Sequence, residues 1–292
     1  MPLMAAPAVG KNNYLKAAKT DLSSSGFFKL KSSQLRSFPL KAVQLAATLS
    51  RLSYLDNVEQ QISNKLMDNL FHEVVEDDSI AQSRAHVWIS PKSRTAFVSF
   101  RGTSSWVDVL HDLDTRSVPV DLAHSSVYRN ATVHAGFRFK FFSIKNALES
   151  AIQQKADKFD SLVVTGHSLG GALATLSAPY LAELLPNTKI TCISFGSPRV
   201  GNEKFVEWFK SKVHSNVRLL NENDPVPHLP LGPAYHHVSD GVCIVPDSEV
   251  YGFPEIPIGQ RLFWAMDNLD LSQITTSHDL QTYISRVNNM YN

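Results

Sequence analysis

The stretch Gly166-His167-Ser168-Leu169-Gly170-Gly171-Ala172-Leu173-Ala174 decides the fold of this 292-residue chain. An apolar run from Leu162 to Thr165 precedes it, and small and apolar residues continue from Leu169 to Leu185. That order reads as a strand, a sharp turn and a helix, with Ser168 at the turn. A residue at such a turn occupies strained backbone geometry, and glycines on either side remove the Cβ atoms that would clash. The turn also sets Ser168 at a helix N-terminus. Free N–H groups and the positive dipole end there favour the anion that develops when a carbonyl is attacked. In this context G-x-S-x-G predicts a nucleophilic serine, with the N–H of Leu169 as one oxyanion donor. His167 is adjacent to the serine, so its side chain points elsewhere; a packing or supporting role is expected for it rather than that of the base.

Outward from this turn the pattern stays regular. A helical run, Phe137 to Ala156, comes before the strand; Ile190 to Phe195 (strand), Glu203 to Lys212 (helix) and Val217 to Leu220 (strand) come after the helix. Strands alternating with helices imply crossover connections, hence an α/β fold with a mainly parallel central sheet flanked by helices. Ligands in such sheets bind at the carboxyl ends of the strands, so chemistry is expected just after Thr165, Phe195 and Leu220. Further upstream, Ala85 to Ile89 and Thr95 to Phe100 flank Ser90-Pro91-Lys92-Ser93 and predict a hairpin. Leu45, Leu49 and Leu52 recur at helical spacing within Leu40 to Leu55, and a second helical stretch is expected from Val58 to Phe71. Residues 1–34 are Lys- and Ser-rich and read as an extension, loosely ordered or on the surface, which Phe27, Phe28 and Leu30 could pin down. Residues 35–292 read as a single domain.

Composition sets limits on partners. The chain is 43% hydrophobic and 19% charged, within the soluble globular range. Its 28 Lys and Arg nearly cancel 27 Asp and Glu, so no global field draws it to nucleic acid or anionic lipid, and any lipid contact must be local and apolar. No stretch approaches the ~18 consecutive apolar residues of a membrane-spanning helix. Met4-Ala5-Ala6-Pro7-Ala8-Val9 lacks a preceding Lys or Arg and contains a proline, which makes a poor secretory signal. The two cysteines, Cys192 and Cys243, sit in strand-like runs and read as buried free thiols, which excludes a disulfide framework. These features favour an intracellular location slightly. The sequon Asn130-Ala131-Thr132 matters only in a secreted chain, and the compartment stays open.

A serine nucleophile needs a base to take its proton and a carboxylate to orient that base, in the chain order Ser, Asp or Glu, His. Asp224 follows the strand Val217 to Leu220, in a turn that the neighbouring prolines would hold rigid; Asn223-Asp224-Pro225 taken alone is also an ordinary turn. Four histidines follow: His228, too near Asp224 to swing onto it; His236 and His237 after Tyr235; and His278, which follows the loop Thr275-Thr276-Ser277 and opens a final helix, Asp279 to Val287. His278 and His237 are both open as the base. The second oxyanion donor belongs in the loop after an early strand, where Phe100-Arg101-Gly102-Thr103 stands. Beyond it, Ser105 and Asp108 form a capping pair, and Trp106, Val109, Leu110 and Leu113 fall at i, i+3, i+4 and i+7. This short helix with one apolar face is either packed permanently on the core or a lid that opens onto lipid.

In these motifs the chain resembles the class 3 lipases, fungal-type triacylglycerol lipases that share an α/β-hydrolase fold with some feruloyl esterases and plant acylhydrolases. The likeness runs from about Leu45 to Tyr283. It rests on Phe100-Arg101-Gly102-Thr103, Val133-His134-Ala135-Gly136-Phe137, the Ser168 turn, Phe195-Gly196-Ser197-Pro198-Arg199-Val200-Gly201-Asn202 and Asn223-Asp224-Pro225-Val226-Pro227. It implies Asp224 as the acid, His278 as the base with His237 outside the triad, the N–H of Thr103 in the oxyanion hole, and a helical lid at Trp106, Val109, Leu110 and Leu113. The activity implied is serine carboxylic-ester hydrolysis, foremost of acylglycerols at a lipid–water interface. A phospholipase A1, a soluble-ester (feruloyl-type) esterase, and a catalytically silent binding protein, against which the intact triad speaks, are the alternatives. No metal cluster or phosphate-cradling loop appears, and no cofactor is implied. The family's secreted fungal members usually carry disulfides, and this chain departs from them there.

Overall fold

A computed structural model describes residues 28–29, 39–58, 71–103, 116–123, 128–245, 250–253, 255, 261 and 275–290. The four lid positions, Trp106, Val109, Leu110 and Leu113, lie outside the described residues, as does most of the helix expected from Val58 to Phe71.

In chain order the described elements are β1 (Phe28–Lys29), α1 (Leu40–Leu52), β2 (Phe71–Asp77), β3 (Ser83–Ser90), β4 (Thr95–Phe100), β5 (Ser117–Pro119), β6 (Thr132–His134), α2 (Ala135–Gln153), β7 (Ser161–His167), α3 (Leu169–Leu184), β8 (Lys189–Phe195), α4 (Glu203–Lys212), β9 (Ser215–Asn221), β10 (Gly241–Ile244), β11 (Val250–Phe253) and α5 (Leu280–Asn289). Nine strands form one sheet in the order β1-β11-β10-β9-β8-β7-β4-β3-β2, and β5 and β6 make a separate ribbon. The centre, β4-β7-β8-β9-β10, is parallel throughout, while β2, β3 and β4 at one edge and β10, β11 and β1 at the other are antiparallel. The mainly parallel α/β layout and the β3–β4 hairpin expected from the sequence are both present.

Period-two alternation explains why the central strands need cover on both sides. Phe97, Val163, Ile193 and Val217 face α1 and α5, joining Val43, Leu49, Tyr283 and Val287 in one core cluster. Val98, Val164 and Cys192 face the other way and pack with Phe141 of α2, Leu173 of α3 and Trp208 of α4. Burying each such Leu, Val or Phe side chain contributes roughly 1.5–3 kcal/mol. Helix α3 is buried on every side from Leu169 to Leu181, as its apolar, unstriped sequence requires. Cys192 and Cys243 are free and buried, and burial pushes each thiol up to about 12, so neither is reactive.

The structure corrects one boundary. Phe71 does not end a helix; it begins β2, an edge strand in which Val75 alone is buried. With charged residues on both faces the strand carries no usable alternation, which is why it escaped the reading. The short ribbon strands and β11 were likewise not anticipated. Within the extension, Phe28–Lys29 adds a two-residue antiparallel strand against β11.

Parallel register levels the strand ends. Phe100 pairs with Gly166, His167 with Phe195 and Phe195 with Leu219, so the residues following β4, β7, β8 and β9 emerge along a single edge of the sheet.

Candidate active site

Ser168 sits between β7 and α3 with φ 58° and ψ −126°, a left-handed conformation that costs a non-glycine residue about 1–3 kcal/mol and persists only where its surroundings enforce it. The enforcement is visible. Ser168 N–H donates to Phe195 O at 2.9 Å, its carbonyl accepts from Ala172 at 3.1 Å, and β7 runs straight into a fully buried helix. A Cβ on Gly166 would lie 2.3 Å from the Gly170 carbonyl, and one on Gly170 would lie 2.3 Å from Phe100 O, so the flanking glycines answer to close backbone approach. The side chain of Ser168 is buried at 2% exposure. As the first residue of α3, Leu169 carries an amide that has no partner within the helix.

At the same edge, Asp224 is fully buried in the turn after β9. Its carboxylate accepts from three donors: the Val226 amide at 3.0 Å, the Tyr283 hydroxyl at 2.6 Å, and His278 Nδ1, which lies 3.0 and 2.9 Å from the two oxygens. A carboxylate offers only acceptors, so Nδ1 of His278 carries a proton toward Asp224, and in the neutral ring Nε2 holds the lone pair. That Nε2 is buried and has no hydrogen-bond partner among the described residues. A neutral His278 thus offers a ring nitrogen with a carboxylate behind it, as a general base requires.

The other histidines are occupied elsewhere. His237 Nε2–H donates to Pro227 O at 2.6 Å, His236 contacts Pro233 O at 3.2 Å, and His228 packs edge-on against Phe253. Burial holds His228 and His237 well below the ordinary histidine value, with the charges of Arg199 and Arg218 adding to the effect. Of the four, His278 alone has a ring nitrogen on Asp224.

Sequence reasoning missed the residues that brace this arrangement. Tyr283, five positions after His278 on α5, donates to Asp224 and accepts the Asn221 amide at 3.0 Å; burial, then the Asp224 charge, raises its phenol well above the ordinary value, so it stays a donor. The Asn221 side chain donates to Ser277 O at 2.9 Å, and the Ser277 hydroxyl donates to Asn223 O at 2.9 Å, stitching the His278 loop to the acid turn. Arg199, buried at 1% exposure, donates to Glu255 at 2.7 Å and to His228 O, clamping the far end of that turn. The motif from Phe195 to Asn202 drew attention to Arg199, but a Tyr on an apolar helix face reads only as core.

Thr103, three residues past β4, lines a cavity of about 360 Å³ together with Leu169 and Leu173 of α3, so the residues of the two expected oxyanion donors line the same cavity. Its other lining residues are largely polar, Glu76, Arg101 and Lys140 among them, and Ser168, Asp224 and His278 are not in the lining. A buried serine in a strained turn, a histidine whose Nδ1 is held by a buried carboxylate, and two candidate backbone donors along one edge are the parts needed for acyl transfer.

Residues 97–233 match a family model described as lipase, class 3. A lipase of Rhizopus niveus is 30% identical over 156 residues, covering 52% of this chain and 38% of its own length. Phospholipase A1-Ialpha2, chloroplastic, of Arabidopsis thaliana is 30% identical over 226 residues, covering 67% of this chain and 44% of its own length. Among solved structures, the native Rhizomucor miehei lipase propeptide complex aligns with TM-score 0.63 and 26% identity over 78% of this chain and 73% of that one. The chain thus spans less than half the length of these two curated relatives.

Proposed function

From a chain that carries a class 3 lipase domain on an α/β-hydrolase fold, we propose a serine carboxylic-ester hydrolase that cleaves acylglycerols through an acyl-enzyme on Ser168. The machinery lies within a single domain spanning residues 35–292, with 1–34 as an extension. His278 takes the Ser168 proton as the hydroxyl attacks the ester carbonyl, and returns it to the leaving alcohol. Asp224 holds the resulting imidazolium, and the amides of Thr103 and Leu169 receive the oxyanion. Water, activated by the same histidine, then releases the fatty acid. The observation that carries this reading is the bond from His278 Nδ1 to buried Asp224, which leaves Nε2 as a lone pair on the sheet edge that Ser168 occupies.

A second reading has its own support. The polar lining of the cavity beside Thr103 suits an ester lipid with a polar head, and the plant relative named as a phospholipase A1 points the same way. The two readings share their chemistry and separate on a panel of triglyceride, diglyceride, phosphatidylcholine and methyl ferulate. Wild type is expected to turn over at least one glycerolipid faster than methyl ferulate, and Ser168→Ala to abolish turnover of all four. Retained esterase activity in purified Ser168→Ala would overturn both readings. We also propose that the apolar face of Trp106, Val109, Leu110 and Leu113 acts as a lid at the lipid–water interface, a reading supported by its spacing.

A further inference from the structure

Tyr54 lies in the turn after α1, on the opposite side of the sheet from α3, yet its hydroxyl reaches the heart of the site. The oxygen is 3.0 Å from His167 Nδ1. His167 Nε2 is in turn 2.8 Å from the backbone carbonyl of His278. Proton bookkeeping along this chain has one solution. A carbonyl only accepts, so His167 Nε2 carries the ring proton and donates it to His278 O. Nδ1 is then a lone pair, and the Tyr54 O–H must donate to it.

The same hydroxyl presses on the oxyanion loop. A Cβ at Gly102, next to Thr103, would fall 2.0 Å from the Tyr54 oxygen and 2.6 Å from His167 O. One short chain of contacts therefore touches the segment before the nucleophile, the segment of the base and the segment of the oxyanion donor. Burial keeps the two relay groups in the forms this chain requires. His167 is held well below the ordinary histidine value, chiefly by desolvation and next by His278, and the Tyr54 phenol is raised above its own, again chiefly by desolvation. A neutral His167 also matters because its ring centroid is 4.6 Å from that of His278, which becomes cationic during turnover; a second cation there would oppose the reaction.

We propose that Tyr54 and His167 are positioning residues for the base, a Tyr54 O–H to His167 to His278 C=O relay that fixes the His278 loop against Ser168 and the oxyanion loop. The proposal rests on the triad reading above. Neither residue touches the reacting atoms; both act through His278.

The test compares Tyr54→Phe, His167→Gln, His167→Leu and Ser168→Ala on a soluble short-chain p-nitrophenyl ester. Rates of wild type and of the Tyr54 and His167 variants are normalised to sites counted by a fluorophosphonate label, so unfolded protein drops out; Ser168→Ala, which has no site to label, is measured per mole of purified protein. Tyr54→Phe removes one hydrogen bond and keeps the ring; kcat per labelled site is expected to fall about tenfold while KM stays within twofold. Gln at position 167 can still donate to His278 O from an amide near the place of Nε2, whereas Leu cannot. His167→Gln is therefore expected to retain at least tenfold more kcat than His167→Leu. A brace that only stabilises the fold would lower the number of labelled sites and leave kcat per site unchanged. The relay is overturned if Tyr54→Phe keeps kcat within twofold, or if Gln at 167 is no better than Leu. Activity surviving in Ser168→Ala would instead overturn the triad reading itself, so the two failures are distinct. Should His167→Leu yield no folded protein, Tyr54→Phe and His167→Gln measured against wild type still decide the matter.

Discussion

Replacing Tyr283 by Phe isolates the bracing of the acid. The phenol oxygen is fully buried, donates to Asp224 Oδ2 at 2.6 Å and accepts the Asn221 amide at 3.0 Å. A hydrogen bond to a charged group contributes about 1.5–3 kcal/mol, and a buried amide left without its acceptor costs about 1–3 kcal/mol. The two costs overlap because one atom serves both, so a stability loss of about 2–4 kcal/mol is expected. At roughly 2–4 °C per kcal/mol in a protein of this size, Tm falls by about 5–15 °C. The kinetic loss is smaller than for deleting the acid, which in serine hydrolases costs ~10⁴-fold. Asp224 keeps its bonds from Val226 and His278 and loses one donor of three. About 1.4–2 kcal/mol of that bond expressed at the transition state gives a 10- to 30-fold drop in kcat with KM little changed. Calorimetry reads the stability loss, and initial rates on a soluble ester, normalised to labelled sites, read the drop in kcat. A variant with kcat within twofold of wild type would show that the phenol does not support the acid.

One further outcome follows from the structure and one from the sequence. Folding keeps His167, His228 and His237 uncharged well below their ordinary value and lowers His86 to about 3, with burial the leading cause in each. The unfolded chain binds these protons near pH 6.5 and the native chain does not. Stability present above that pH is therefore lost as pH falls below it, by up to about 1.4 kcal/mol per pH unit for each group. Tm measured from pH 8 to pH 5 should decline steeply below 6.5, and a flat profile would contradict the burial of these rings. The lid proposal, for its part, predicts a jump in rate as a short-chain ester passes its solubility limit, driven by apolar area covered at about 25 cal/mol per Å²; hyperbolic kinetics through that limit would remove it.

What the sequence discloses about this protein depends on where each residue's free energy comes from. The central strands β4, β7, β8 and β9 are legible because burial on both faces leaves near-continuous apolar runs, and Ser168 is legible because its turn demands glycines at fixed positions. β2 is not, since at the edge of the sheet it buries only Val75 and otherwise carries charged and solvated residues. The choice between His237 and His278 cannot be made from spacing: both follow Asp224 in the chain, and only three-dimensional proximity gives one the carboxylate and the other the Pro227 carbonyl. Tyr54, Tyr283 and Asn221 are unreadable for a related reason. Their partners are 113, 59 and 56 residues distant in the chain, so no local pattern marks the bond.

The position of His278 and Tyr283 on and beside α5 has a consequence for how activity is gained and lost. The strands β4, β7, β8 and β9, the strained serine and the acid turn belong to the chain up to Asp224, and none of them performs the reaction alone. The proposed base, His278, and the hydroxyl that steadies the proposed acid arrive together when α5 seats Leu280, Tyr283 and Val287 against α1 and the sheet. Turnover therefore reports the docking of a ten-residue helix rather than the integrity of the whole molecule. As α5 buries three side chains, Leu280, Tyr283 and Val287, it is the unit expected to release first on heating. Inactivation then precedes global unfolding, and it reverses on cooling as long as the sheet beneath it has stayed intact.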